Sequence, residues 1–206
     1  MDKPFSPPCE RNAAPILSIL TDVLQSQRNV LEIGSGTGQH AVYFGSRLPH
    51  LRWQTSDFPD NHPGICAWLI ESGLANVMPP VPLDMEAPQW PEDQFDTVFT
   101  ANTCHIMSWP QVQKMVSGVA ALLPSGGIFC LYGPFNYGGT FTSEGNALFD
   151  AALKSQLPYR GIRDIEALQA LAAGHGLQLE ADHAMPANNR LLVFRRLTNA
   201  GSAVCS

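Results

Sequence analysis

Residues 29 to 44 read NVLEIGSGTGQHAVYF, in which five residues of buried-strand character run into three glycines spaced two apart. Ala41, Val42 and Phe44 follow at helical spacing. An apolar run of this length, ended by a Gly-rich turn, suits a strand covered on both faces, and the residues after the turn suit a helix packed back onto it. A strand, a tight loop and a helix in that order commit the chain to right-handed crossovers and a parallel sheet.

The alternation continues. LRWQTSD (51 to 57) reads as a strand, 64 to 72 as a helix, VMPPVPLD (77 to 84) as an extended segment and FDTVFTAN (95 to 102) as a strand; helix 110 to 123 and strand GIFCLYG (127 to 133) follow. Ahead of the glycines, beyond a Pro-rich arm, Ile16, Leu17, Leu20, Val23 and Leu24 predict an amphipathic helix over 12 to 25, with Pro15 in its first turn. After Gly133 comes PFNYGGTFTSEGN, a Gly-rich aromatic connection of the kind that carries function. Residues 133 to 164 are expected to form a substrate lid. Helices at about 145 to 156 and 164 to 173 precede two strands, LQLEADHAM and RLLVFRRL, joined by the turn-rich PANN and expected to close the sheet as an antiparallel hairpin. The expectation is one domain over 1 to 206, doubly wound α/β and Rossmann-like, with arm and helix over 1 to 28 and a frayed tail from 198.

Composition narrows the function. Lys and Arg total 12 against 18 Asp and Glu, a formal net charge of −6, so the basic footprint of a nucleic-acid binder is missing. The five cysteines are odd in number and lack a CxxC pair, which argues against a disulfide framework or a thiolate zinc site and for reduced thiols. No signal-peptide pattern opens the chain and no apolar stretch of about 18 residues occurs, so a soluble cytoplasmic protein with no membrane partner is expected.

The glycine spacing bears on the ligand. A dinucleotide fingerprint needs G-x-G-x-x-G, whereas here Gly34, Gly36 and Gly38 alternate and position 39 is Gln. Glu32 ends the strand, where a carboxylate suits a cationic or hydroxyl-rich ligand better than a pyrophosphate. Asp57, at the next strand end, suits ribose hydroxyls; Asp84 and Met85 suit an adenine amino group and ring. S-Adenosylmethionine fits these groups. Either aspartate taken alone also fits a loop or capping residue.

These residues resemble class I S-adenosylmethionine-dependent methyltransferases, and the whole chain resembles the methyltransferase-like 26 family, formerly a domain of unknown function. The resemblance runs through ERN (10 to 12), LEIGSGTGQHAVYF, WQTSD, NTCHIMSW, LYGPFNYGG, SEGNALFDAAL, YRGIRD and MPANN. It implies a seven-stranded sheet in the order 3-2-1-4-5-7-6, a cofactor across the carboxyl ends of the strands, and Asn102 at the cofactor's methionine end. It implies no particular substrate. Gly145 departs from the family's S-x-S-N pattern at the second serine.

The predicted donor site comprises Arg11, Asn12, Glu32, Gly34, Ser35, Gly36, Gly38, Asp57, Asp84, Met85 and Asn102. Arg11 would approach the methionine carboxylate from the arm, although Asn12 also suits a plain helix cap. His105 and Tyr132 are the catalytic candidates: His105 follows the fourth strand, at the rim where a base or acceptor-orienting group belongs. Its other reading is a helix-capping or loop-satisfying histidine. His105, Tyr132, Phe135 and Asn136 would line an acceptor pocket. Asn146, Asp150, Arg160, Arg163 and Asp164 suit an ion-pair network holding the lid. His40, His50, His62, His175 and His183 have no metal-ligand spacing and read as surface or loop residues, and no metal is expected. NTCH lacks the Asn/Asp-Pro-Pro-aromatic motif of many nucleobase and glutamine amino-methyltransferases. The leading reading is methyl transfer to a small O or N acceptor. A non-catalytic donor-binding scaffold and, less favoured, an NAD-dependent oxidoreductase are the competitors, and the sequence leaves the oligomeric state open.

Overall fold

The computed structural model describes residues 3 to 198, so the predicted frayed tail lies, from residue 199 on, outside the described residues, together with Cys205. Strands β1 (Asn29–Ile33), β2 (Arg52–Asp57), β3 (Val77–Pro82), β4 (Thr97–Ala101) and β5 (Ile128–Asn136) run parallel to their neighbours. Helix α1 (Pro7–Val23) precedes them; α2 (Gln39–Arg47), α3 (His62–Ser72) and α4 (Trp109–Leu122) connect them. After β5 come α5 (Glu144–Gln156), β6 (Arg163–Asp164), α6 (Ile165–Gly174), β7 (Leu177–Met185) and β8 (Asn189–Arg196). The sheet order is β3-β2-β1-β4-β5-β8-β7, with β6 beside the end of β5. Only β8 pairs antiparallel, with β5 and with β7. This is the order implied by the resemblance, with the two-residue β6 added as an eighth strand.

Alternation along each strand divides the core between the two faces. Val30, Cys130 and Val193 pack with α1 and α2, whereas Leu31, Phe129 and Leu192 pack with α4 and α6. On the first face Phe44, Trp53 and Phe99 meet at centroid separations of 5.5 to 5.7 Å, so α2 is fixed against β2 and β4 by aromatic edges. The chain order reverses between β2 and β4, on either side of β1, and a crevice opens there at the carboxyl ends of the strands.

Two elements depart from the periodicity. α1 begins at Pro7 rather than Asn12: Pro7 and Pro8 occupy the first turn, where no N–H is needed. Pro15 therefore sits in the helix interior, where its missing N–H is unfavourable by about 3 kcal/mol. Burial of Ala13, Ile16 and Leu20 offsets that cost. β5 runs three residues past Gly133, because Gly133 and Pro134 pair with Arg190 and Asn189, and Phe135 and Asn136 pair with Arg163 and Asp164. Residues 133 to 136 are thus strand rather than lid. Among the described residues no helix is long and apolar enough to cross a membrane.

Candidate active site

The turn after β1 has Gly34, Gly36 and Gly38 at φ 71°, 57° and 89°, and is closed by Ser35 N–H to Ser56 O and Gly38 N–H to Ser35 O, both 2.9 Å. Glycine is demanded twice over at position 34: φ is left-handed, and a Cβ there would lie 2.7 Å from Thr103 Cγ2. Thr103 cannot easily yield, since its hydroxyl is 2.7 Å from that of Thr100, which donates to Ile33 O at 2.8 Å. The ends of β1 and β4 are laced together under the turn.

Two carboxylates flank it in different roles. Asp57 lines the cavity and organises the turn: Oδ2 accepts from Gly36 N at 2.6 Å, and Oδ1 accepts from Phe58 N and Asn61 Nδ2, each at 2.7 Å. Glu32 does not line it. Its Oε2 accepts from Ser35 Oγ and Trp53 Nε1, each at 3.0 Å, behind the turn. Burial pushes its carboxyl up to about 7, against the pull of those two donors and with a small push from Asp57. Glu32 therefore buttresses the loop, which corrects its placement among direct ligands. Gly38 likewise stands off the cavity, as the left-handed cap of α2, and Asp84 turns to Glu86 N at 2.8 Å. Met85 and Leu83, both buried, form an apolar wall.

The first turns of α1 roof this end. Ser6 N–H donates to Gln39 Oε1 at 2.5 Å, and Trp68 Nε1 donates to Pro4 O at 2.7 Å. Arg11 and Asn12 line the cavity. His40, expected on the surface, is buried beneath α1, with Nε2 2.6 Å from Asn12 Oδ1 and its ring stacked 5.2 Å from Phe44. Burial holds its pKa down to about 4, opposed by a hydrogen bond with the Cys9 backbone. Tyr132 also lines the cavity, and burial raises its phenol pKa. Tyr132, Asn12 and His40 thus all line the cavity, with Asn12 and His40 joined directly, a grouping that no local sequence pattern shows.

At the other end, Asn102 takes a left-handed φ of 61° at the end of β4, a conformation asparagine tolerates better than most residues, and donates its N–H to Tyr132 O at 2.9 Å. The loop it starts turns His105 into the cavity. His105 is 6% exposed, lies edge-on to Phe149 at 5.2 Å, and accepts at its carbonyl from Gly161 N at 2.9 Å. Burial first, then the charges of Arg163 and Arg160, hold its pKa down to about 4. Arg163 grips this loop through the carbonyls of Cys104 (3.2 Å), Met107 and Tyr159 (2.9 Å).

The remaining expectations on this side need correction. Phe135 is fully buried in the core under α6, and Asn136 is buried with Oδ1 unpartnered, so neither lines the cavity: the extension of β5 carries both into the sheet. The expected ion-pair network is absent among the described residues. Asp150 pairs with Lys154 at 2.6 Å and accepts from Ile162 N at 2.8 Å, while Asn146 reaches Thr142 Oγ1 at 2.9 Å and Asn188 O at 3.4 Å. Gly145 is exposed and away from the cavity.

A cavity of about 700 Å³ joins the two ends, from Asp57 and Met85 past Gly34, Ser35, Gly36 and Asn102 to His105, Tyr132 and Arg160. Sequence reading missed Phe149, Tyr159, Ala187 and Asn189 on its rim. The last two lie at the β7–β8 connection, where Ala187 holds φ 56°, a strained value for a residue with a Cβ that the turn-rich PANN does not announce. Among the described residues no group of three His, Cys, Asp or Glu is placed to hold a metal.

The fold is that of the class I S-adenosylmethionine-dependent methyltransferases. An O-methyltransferase family protein from Burkholderia thailandensis matches with a TM-score of 0.78 at 16% identity, over 91% of this chain and 57% of that one. An O-methyltransferase family 2 protein from Planctomyces limnophilus, in complex with apigenin, matches at 0.78 and 19% identity, over 90% and 56%. PigF with SAH matches at 0.75 and 17%, over 90% and 56%. The chain thus spans a little over half the length of these proteins. It belongs to the family described as "Protein of unknown function (DUF938)", which it matches over residues 3–196.

Proposed function

We propose that the protein transfers a methyl group from S-adenosylmethionine to an oxygen or nitrogen of a small acceptor. The observation that carries this reading is the single cavity with a phosphate-free nucleoside cradle at one end and His105 at the other. The cradle's chemistry fits the donor: Asp57 suits ribose hydroxyls, Leu83 and Met85 suit a purine face, and Gly34 to Thr37 bring backbone close without a lysine or arginine for a pyrophosphate. Asn102, Asn12 and Arg11 would hold the amino acid end. The resemblance to the methyltransferase-like 26 family, and the SAH and apigenin held by structural relatives, support the same assignment.

S-Adenosylmethionine, when bound, supplies a methyl carbon already activated by a sulfonium. What the chain contributes is alignment and exclusion of water, worth about 7 to 11 kcal/mol where placement is near ideal. The roof from α1 and the segment carrying Phe149 and Tyr159 provide the exclusion. His105, neutral at pH 7, takes the proton of a hydroxyl acceptor or orients it. Tyr132 and Asn12 supply polar groups along the cavity wall. We also propose one catalytic domain in which residues 137 to 162 act as the lid, and a cytoplasmic setting consistent with the free Cys9, Cys66, Cys104 and Cys130.

Calorimetric titration tests the donor: micromolar binding of S-adenosylmethionine and S-adenosylhomocysteine with none of NAD is expected, and absence of donor binding ends the proposal. Formation of S-adenosylhomocysteine over a metabolite panel tests transfer. Silence across the panel favours a non-catalytic scaffold.

A further inference from the structure

Arg160 is a cationic side chain that lines the cavity at the His105 end. It lies on the turn between α5 and β6, which the bond from Gly161 N–H to the His105 carbonyl (2.9 Å) fixes against the His105 loop. One terminal nitrogen donates to Gln156 Oε1 at 2.9 Å, but Nε is buried with no partner. Among the described residues no carboxylate pairs with it: Asp150, on the preceding helix, is engaged by Lys154 at 2.6 Å. Arg163, by contrast, has its donors on three carbonyls. A buried guanidinium N–H without an acceptor is unfavourable, and the planar fork matches a carboxylate.

The walls beside Arg160 are flat and uncovered. Phe149 and Tyr159, 41% and 48% exposed, line the cavity with Ile106, although aromatic side chains of this size are ordinarily far more buried. Such a pairing of aromatic surface with one unpaired guanidinium recognises a ring that carries an anion. We propose that the acceptor is an aromatic carboxylate, its ring against Phe149 and Tyr159, its carboxylate on Arg160 and its nucleophilic group at His105. Arg11, which lines the same cavity from α1, is left for the donor's own carboxylate. Neutralising Arg160 also removes one of the two positive charges that weaken His105 as a base, so the acceptor improves the group that serves it. This assignment rests on the methyl-donor reading of the cavity.

The test uses the full chain saturated with S-adenosylhomocysteine. Hydroxybenzoate, hydroxyphenylacetate and hydroxycinnamate, each against its primary amide, are titrated by calorimetry and thermal shift into the native protein, Arg160→Gln and Arg160→Lys. The expected result is that at least one acid binds about tenfold or more tightly than its amide, that Arg160→Gln erases the difference, and that Arg160→Lys restores part of it. Unchanged S-adenosylhomocysteine binding by both variants shows that they fold. Amides that bind as well as acids, acids that all fail to bind, or an Arg160→Gln loss that falls on S-adenosylhomocysteine instead each overturn the assignment. Failure of the native protein to bind S-adenosylhomocysteine overturns the donor reading itself, which is a separate outcome.

Discussion

The two ends of the cavity are built by different means. At the donor end the ligand surface is backbone and short polar side chains held by one another: Asp57 fixes the amide of Gly36, Glu32 fixes Ser35, and Thr100 fixes Thr103. At the acceptor end it is long side chains with polar atoms uncommitted, His105 with charge on two sides and Arg160 with an unpaired Nε. The first arrangement has its polar groups satisfied within the protein, whereas the second leaves Arg160 Nε without a partner. On the proposed function, the donor would be recognised by the turn and the acceptor by the segment from His105 to Arg160.

The sharpest way to break the comparison is to disable one end and read both. His105→Asn keeps a polar side chain of similar reach but removes the base, and turnover of a hydroxyl acceptor is expected to fall about 10²- to 10⁴-fold. S-Adenosylhomocysteine affinity by calorimetry should not change. A parallel loss of both would mean that the ends are not separable.

Gly34→Ala attacks the other end. A side chain at φ 71° is disfavoured by about 1–2 kcal/mol, and the added Cβ, 2.7 Å from Thr103 Cγ2, must displace a hydroxyl-bonded neighbour. S-Adenosylhomocysteine binding should weaken about a hundredfold. Binding within about threefold of native would show that the turn can relax and that the donor does not depend on its shape.

That asymmetry explains what could be read in the sequence. Strand, glycine turn and helix are contiguous, so the spacing of Gly34, Gly36 and Gly38 and the strand-end Asp57 announce the donor end, and the alternation of elements announces the sheet order. Glu32 was misplaced because its partner Trp53 lies on the next strand, and no local pattern shows which way a strand-end carboxylate turns. His40 was misplaced for the same reason, its cover being α1. The glycines after Phe135 and Asn136 suggest a loop, while the residues that hold the two in the sheet, Arg163 and Asp164, lie in a two-residue strand too short for any periodicity. Arg160 is brought to the His105 loop by the bond from Gly161 N–H to the His105 carbonyl, a contact between distant segments that no local pattern shows.

Acidity separates the ends next, with an effect of about tenfold. His105 has its pKa held down to about 4 from the ordinary 6.5, so the neutral base persists as pH falls. kcat/KM for a neutral hydroxyl acceptor should stay level from pH 7 to below 6 and drop only near pH 4 to 5. Removing the positive charge in Arg160→Gln moves that limb upward by a small amount, because burial and the Arg163 charge remain. A limb at 6.5 in the native protein would place His105 in solvent.

The smallest effect at the cavity is expected from Glu32→Gln, which tests whether this carboxylate belongs to the loop rather than to the ligand. Its carboxyl sits at about 7 in the folded chain against 4.5 ordinarily, so the folded state holds the proton more tightly. The stability this provides is complete below about pH 4.5 and is lost as pH rises through 7, a loss on the order of a few kcal/mol. Gln keeps an oxygen for Ser35 Oγ and Trp53 Nε1 and cannot titrate. Thermal unfolding of the native protein should therefore include a decline in Tm between pH 4.5 and 7 that Glu32→Gln removes. S-Adenosylhomocysteine affinity should stay within about threefold, because the Glu32 carboxylate is buried against Ser35 and Trp53. A loss of tenfold or more at constant fold would return Glu32 to the donor's direct ligands.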